Sequence, residues 1–253
     1  MTAYRISRRR LFVSAGAGVL GLAVVNTVSA CSTSSPPSRP VPTAGGSQPS
    51  AEPLPTSTAL PTGWNRVNLS YVSAYLLLRG KEVAIVDTGT PGSESAIEDG
   101  LKAAGSGWSA VKHVILTHYH DDHIGGLSGI EPQVKATFYA GSVDLGNIIS
   151  DKPLKPLNEG DEVFGLRIVD TPGHTRGHIS IFEPGTGTLV AGDALRTQNG
   201  LESSDPQYTT DQKLATASVK KLAGLDIKAI LPGHGEPLTA GAKEALQKLA
   251  ASL

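Results

Sequence analysis

The sequence has a single cysteine, Cys31, so no disulfide can close within the chain and no cluster of thiolates can build a closed structural zinc site. Neither sign of charge is in excess. The 22 Lys and Arg face 23 Asp and Glu, which leaves no global field to favour nucleic acid or an anionic membrane surface. An internal repeat is missing, and so is a phosphate-binding loop, because Gly125-Gly126 is not followed by the Lys and Ser/Thr that such a loop requires. What is present suits a globular protein: of 253 residues, 39% are hydrophobic, enough to fill one large core or two smaller ones. The 17 prolines are densest before residue 62, where eight of them fall, and many of the 29 glycines flank polar motifs, so both punctuate loops.

Residues 1–31 read as a targeting segment. Ser7-Arg8-Arg9-Arg10 supplies a positive end, and Leu11 to Val28 is an apolar run rich in Gly and Ala. The run closes on Val28-Ser29-Ala30-Cys31, which resembles a bacterial lipobox whose cysteine is lipidated after cleavage; the alternative is a stray cysteine beside a signal anchor. Arg8-Arg9 followed by Arg10-Leu11-Phe12 resembles a twin-arginine export signal, while three basic residues also suit an ordinary Sec segment. The expectation is a domain outside the cytoplasm, lipid-anchored to a bacterial membrane, or secreted or periplasmic if Cys31 is unmodified. Residues 32–62 are rich in Pro, Ser and Thr and nearly lack large apolar side chains, so they cannot bury enough surface to fold. They read as a tether, semi-extended at about 3 Å per residue.

From residue 63 to 253 the pattern is that of one mixed α/β domain. Ser73 to Leu78 and Val83 to Val86 predict two buried strands joined by the Arg79-Gly80-Lys81 turn. Ser93 to Ala104 has helical spacing, with Ser93 at the N-cap and Gly105 just past the end. Four apolar strands then each run into a polar loop. Val111 to Leu116 precedes His118-Tyr119-His120-Asp121-Asp122-His123; Leu166 to Val169 precedes Thr171-Pro172-Gly173-His174; Leu189 to Ala191 precedes Gly192-Asp193; Ala229 to Leu231 precedes Pro232-Gly233-His234-Gly235. Asp211 to Leu222 and Ala240 to Leu253 have amphipathic helical spacing.

Five of the seven histidines fall in these loops, where imidazole and carboxylate groups without thiolate suit open, catalytic coordination of zinc, iron or manganese. The order HxHxDH, TPGHT, GD and PGHG resembles the ligand set of the metallo-β-lactamase superfamily, in particular its glyoxalase II and lactonase branches, over nearly all of residues 64–253. The resemblance implies a four-layer αββα sandwich. It also implies that His118, His120 and His174 hold one metal, that Asp122, His123 and His234 hold a second, and that Asp193 bridges them. Two divalent ions, zinc before iron or manganese, would share a hydroxide that attacks the substrate, with Asp122 as a catalytic proton shuttle. Asp87, in Asp87-Thr88-Gly89, and His178 are expected to support these ligands by hydrogen bonds. Tyr119 fits either the pocket or the packing beside it, and His113 is expected to be structural.

The substrate is narrowed by departures from the branches. A Cys stands at the position of Asp193 in the commonest zinc β-lactamases, and another β-lactamase type lacks the bridging Asp, so β-lactam cleavage is the secondary expectation. Only 19 residues follow His234, too few for the glutathione-reading domain of glyoxalase II. Lactonases of this kind carry a Tyr where Arg196 stands, and the nuclease branches carry insertions that do not fit between Asp193 and His234. The expectation is a hydrolase of a small-molecule ester, thioester or lactone, with no nucleic-acid partner and with specificity in residues 141–162 and 194–210. The competing reading is an anchored metal-binding protein without turnover.

Overall fold

The computed structural model describes residues 59–253. The expected export segment, Cys31, and residues 32–58 of the expected tether lie outside the described residues. Packing begins at Leu60, which lies against the core, and Trp64 donates its backbone N–H to Pro61 O at 3.0 Å.

One sheet contains β1 (Trp64–Leu69), β2 (Val72–Arg79), β3 (Glu82–Val86), β4 (Val111–Leu116), β5 (Thr137–Gly141) and β6 (Leu154–Leu157), side by side in that order. Its first three strands are antiparallel hairpins, and β3 to β6 are parallel. A second sheet is built from β7 (Glu162–Val163), β8 (Leu166–Asp170), β9 (Ile179–Glu183) and β10 (Thr188–Gly192). A two-strand ladder, β11 (Leu195–Arg196) with β12 (Glu202–Ser203), leads out of it, and β13 (Ala229–Pro232) returns parallel to β10 at its edge.

Strands such as β2, β3 and β10 read as nearly continuous apolar runs because both faces of each sheet are covered, so alternate side chains enter different cores. In β2, Leu76 points to one core while Tyr75 and Leu77 point to another; in β4, Val114 and Leu116 part from Ile115 in the same way. The first core lies between the six-stranded sheet and α1 (Glu94–Ala103) and the one-turn helices α2 (Asp121–Ile124) and α3 (Leu127–Ile130). The second is between the sheets, where Tyr75, Val86 and Ile115 meet Ile168, Ile181 and Leu231. On the far side, Val169, Leu189 and Ile230 pack against Val219 and Leu222 of α4 (Gln212–Leu222) and Leu246 of α5 (Ala242–Ser252). The order of layers is therefore helix, sheet, sheet, helix. Each fully buried Leu or Ile in these layers contributes about 1.5–3 kcal/mol of hydrophobic transfer.

Helix ends show where local signals hold. Asp211 caps α4, accepting from the N–H of Lys213 at 2.9 Å and of Leu214 at 3.0 Å. Gly105, at φ +70°, ends α1, with Ser106 N–H bonded to Leu101 O at 2.8 Å. Ser93 occupies the N-cap position of α1 but makes no side-chain cap. Its backbone is already helical, as the last residue of a turn from Thr90, and its hydroxyl meets that of Thr90 at 3.2 Å instead.

Candidate metal centre

The ligand loops all emerge at one rim of the paired sheets. β4 ends at Leu116 and Thr117 turns the chain so that His118, His120, Asp122 and His123 leave in different directions, the last two on α2. Asp87 makes that turn specific. It sits just after β3 at φ +61°, a strained value for Asp, and its buried carboxylate accepts from Thr117 N, Thr117 Oγ1 and His123 Nδ1, each at 2.8 Å. Thr117 gives its proton to Asp87, so its oxygen accepts from His118 Nδ1 at 3.0 Å. His118 and His123 are thereby both held with Nε2 turned inward and bare.

Three imidazole nitrogens converge on one point. His120 Nδ1 lies 3.1 Å from His118 Nε2 and 2.9 Å from His174 Nε2. Those spacings are close to the roughly 3.3 Å edge of a tetrahedron with zinc–nitrogen bonds near 2.05 Å. Next to them, Asp193 spans two groups. Its Oδ1 is 3.2 Å from His123 Nε2, and its Oδ2 is 3.3 Å from His174 Nε2 and 3.2 Å from His234 Nε2. Asp122 Oδ2 lies 3.3 Å from His234 Nε2 and 3.9 Å from His123 Nε2. Thus His118, His120 and His174 form one group of potential ligand atoms, and Asp122, His123 and His234 form another, with Asp193 between them.

The donor set fits divalent cations. His123 Nε2 and Asp193 Oδ1 are buried without a hydrogen-bond partner, a costly state unless a cation meets them. Burial pushes His118 and His120 down and takes His174 to about 4, which keeps these imidazoles neutral, as ligands must be. Burial also opposes charge on His123 and His234. Asp193 and Asp87 nevertheless lift His123 well above its usual range, and Asp122 and Asp193 lift His234 to about 10. The carboxylates thus demand positive charge at this spot, which a divalent ion would meet in place of those protons.

His178 does not join the ligands. Ser180 Oγ donates to Ala191 O at 3.0 Å, Thr171 Oγ1 donates to Ser180 at 2.9 Å, and His178 Nδ1 therefore donates to Thr171 at 2.8 Å. Its Nε2 is left to accept the backbone N–H of Asp193 at 3.0 Å, so His178 holds the position of Asp193. His113 packs in β4 beside Tyr139 and Phe164, and Tyr119 packs on the first core edge-on to His120.

Several contributors lie outside the motifs, and motif residues other than the ligands add to them. The hairpin β1–β2 grips the His234 loop: Tyr75 OH donates to Pro232 O at 2.8 Å, Ser73 N to Gly233 O at 2.9 Å, and Arg66 Nη2 to Gly235 O at 2.9 Å. His234 Nδ1 donates to Tyr71 O at 2.8 Å, which aims Nε2 at Asp193. Gly233 is required by space, because a Cβ there would lie 2.3 Å from Asp193 Oδ1 and 2.6 Å from His123 Cε1. Buried Asp144 accepts from Thr175 Oγ1 at 2.5 Å and Gly177 N at 2.8 Å, tying the loop after β5 to the loop of His174.

A cavity of about 580 Å³ opens onto the cluster, walled beyond the ligands by Tyr71, Pro91, Arg196, Gln198, Asp205 and Tyr208. Residues 194–210 contribute as expected. Residues 141–162 do not line it: Asp144 is turned toward the His174 loop, and Glu131 holds the 150–152 segment through Ser150 Oγ and the N–H groups of Asp151 and Lys152. The hairpin tip with Tyr71 takes their place.

Comparison with known proteins agrees with this architecture. The sequence profile of the metallo-beta-lactamase superfamily matches residues 67–234. The chain is 29% identical to the uncharacterized protein YobT of Bacillus subtilis over 70% of this chain and 90% of that one. It is 31% identical to the probable metallo-hydrolase YflN of the same organism, over 61% and 76%. Among solved structures, a metallo-beta-lactamase family protein of Thermus thermophilus superposes with a TM-score of 0.61 at 28% identity, covering 77% of this chain and 80% of that one. The subclass B3 metallo-beta-lactamase BJP-1 of Bradyrhizobium japonicum shares the fold at a TM-score of 0.60 and 22% identity, over 76% and 88%. With its four layers, its ligand loops at one rim of the sheets and this profile match, the chain belongs to the metallo-beta-lactamase superfamily.

Proposed function

We propose that the protein is a binuclear metal-dependent hydrolase of small-molecule esters, thioesters or lactones. The observation that carries the reading is Asp193, whose carboxylate lies within 3.3 Å of histidines from both groups, His174 of one and His123 and His234 of the other. His118, His120 and His174 would hold one ion, Asp122, His123 and His234 the other, and Asp193 would touch both. Bound there, zinc, or iron or manganese in its place, would make water nucleophilic near neutral pH and polarise a carbonyl. The cavity beside the cluster orients the substrate. Asp122, held below the usual carboxylate range by its bond to His234 against the effect of burial, is ionised at neutral pH and so open to a proton. In the proton-shuttle role it would accept a proton from the attacking water and return it to the departing oxygen or sulfur.

Metal content and turnover of an aryl ester, lactone, thioester and nitrocefin panel test the reading in wild type and Asp193→Ala. The expected result is two metals per chain with turnover of at least one ester, thioester or lactone. Asp193→Ala should lower turnover by about 10²–10³-fold, on the order seen when a group stabilising transition-state charge is removed. Preference for nitrocefin would establish the β-lactamase alternative, and bound metal with no turnover the non-enzymatic one.

The same proposal places the domain outside the cytoplasm on a lipid at Cys31, supported by the lipobox-like Val28-Ser29-Ala30-Cys31 and the Arg8-Arg9 pair. Cys31→Ser should release the protein from membranes. Replacing Arg8 and Arg9 with Lys should stop export if the twin-arginine route is used.

A further inference from the structure

The wall of the cavity carries information about the substrate that the metal ligands do not. Arg196 is the one Lys or Arg side chain lining it among the described residues, at a place where it would serve to capture a carboxylate. It is not free to do so. Its Nη1 is bonded to Asp205, and its Nε lies 3.1 Å from Glu202 Oε2, a pair closed in from water. Asp121 also lines the cavity, so the rim apart from the ligands carries Asp121, Asp205 and the Glu202 behind Arg196 against one cation. The remaining wall is uncharged, with Thr90 and Gln198 beside an apolar and aromatic part. Pro91 lies on one side, and Tyr71 and Tyr208 expose 56% and 61% of their surfaces, large values for aromatic rings. Tyr71 is further fixed nearly parallel to the His234 ring, at an angle of 4°.

We propose that this cavity selects uncharged acyl substrates bearing a flat or apolar group, which Tyr71 and Tyr208 receive, and rejects carboxylate-bearing analogues because Arg196 is already neutralised by Asp205 and Glu202. The inference rests on the hydrolase reading for the word substrate, and on the cavity alone for the selection by charge. It disfavours glutathione conjugates and β-lactams for one reason, the carboxylate that both carry.

The test uses two matched pairs with metal-loaded full-length protein. In the first, kcat/KM is compared for 4-nitrophenyl butyrate and mono-4-nitrophenyl succinate, which differ by a terminal carboxylate. In the second, dissociation constants of benzyl mercaptan and 4-(mercaptomethyl)benzoate are measured by calorimetry, with no turnover needed. The neutral member should be favoured about tenfold or more in both pairs, as like charges brought together at a binding surface predict. The gap should narrow at high salt. In Asp205→Asn with Glu202→Gln the ratio should move several-fold toward the anionic member, since Arg196 is then released; circular dichroism reports whether the variant folds, and the salt dependence of wild type stands without it. Equal or tighter binding of the anionic thiol, insensitive to salt, would overturn the proposal. Charge selection in the thiol pair with no hydrolysis of any ester, thioester or lactone of the panel would keep it and defeat the hydrolase reading instead.

Discussion

The floor of the active cavity and its rim are built on opposite plans. On the floor, His118, His123 and Asp193 are almost without solvent exposure, and each is held by a second group: Thr117, Asp87 and His178 respectively. At the rim, Tyr71, Asp121 and Tyr208 stand in water, and Arg196 is balanced by carboxylates that could be exchanged for others without touching a ligand. A ligand atom displaced by a fraction of an ångström loses its metal, so the floor is over-determined. A rim residue needs only the right shape and charge, so one floor can serve different substrates.

Breaking the floor should have the largest effect. Asp87→Ala removes the acceptor of three bonds and leaves His123 Nδ1 buried without a partner. Metal affinity should fall about 10–100-fold, the usual consequence of losing a ligand's hydrogen-bond partner. Competition with a chromogenic chelator measures it, and unchanged affinity would show that the floor is not held through Asp87. Gly233→Ala comes next. A methyl group pressed against Asp193 and His123 should cost about 1–3 kcal/mol in urea unfolding and reduce metal occupancy, whereas the same exchange at Gly146, which has open space around it, should do neither.

A smaller effect is expected far from both regions, as a control on what acid does to the fold rather than to the site. Glu183 is buried, which alone would raise its pKa, but bonds from Thr186, Trp64 and Arg79 bring it below its ordinary 4.5. The folded state therefore releases this proton more readily than the unfolded chain. The stability it contributes is full above about pH 4.5 and is lost as pH falls through the lower folded value. Glu183→Gln should flatten that acid limb in thermal melts of metal-free protein, and an unchanged limb would assign it to other groups. The smallest change belongs to the rim: Tyr208→Ala should weaken benzyl mercaptan a few-fold, about the worth of one partly exposed aromatic contact, with metal content unaltered.

Much of the layer order was legible because β2, β4, β8 and β10 each place apolar residues on both faces, a pattern that covered sheets favour. Strands of two to four residues with polar or exposed faces, β6, β7, β11 and β12, were not, since nothing in Leu154–Leu157 or Glu202–Ser203 separates edge strand from loop. At the site, the residues named from HxHxDH, TPGHT, GD and PGHG are the ones that converge, since each motif is short enough to be seen whole. Thr117 was invisible beside them because a Thr at a strand end is ordinary, and its meaning comes from Asp87, 30 residues earlier. The specificity expected of 141–162 was misplaced for a similar reason. That segment is turned to bind Glu131 and the His174 loop, contacts that no local pattern announces.

By itself, then, the sequence determined the chemistry of the donor set and the kind of layers that could carry it, because ligand type and strand periodicity are properties of neighbouring residues. Only the tertiary structure decided what surrounds that set. The hairpin carrying Tyr71 meets a loop 163 residues away, and Arg196 finds its acids across a turn, pairings set by how whole layers pack.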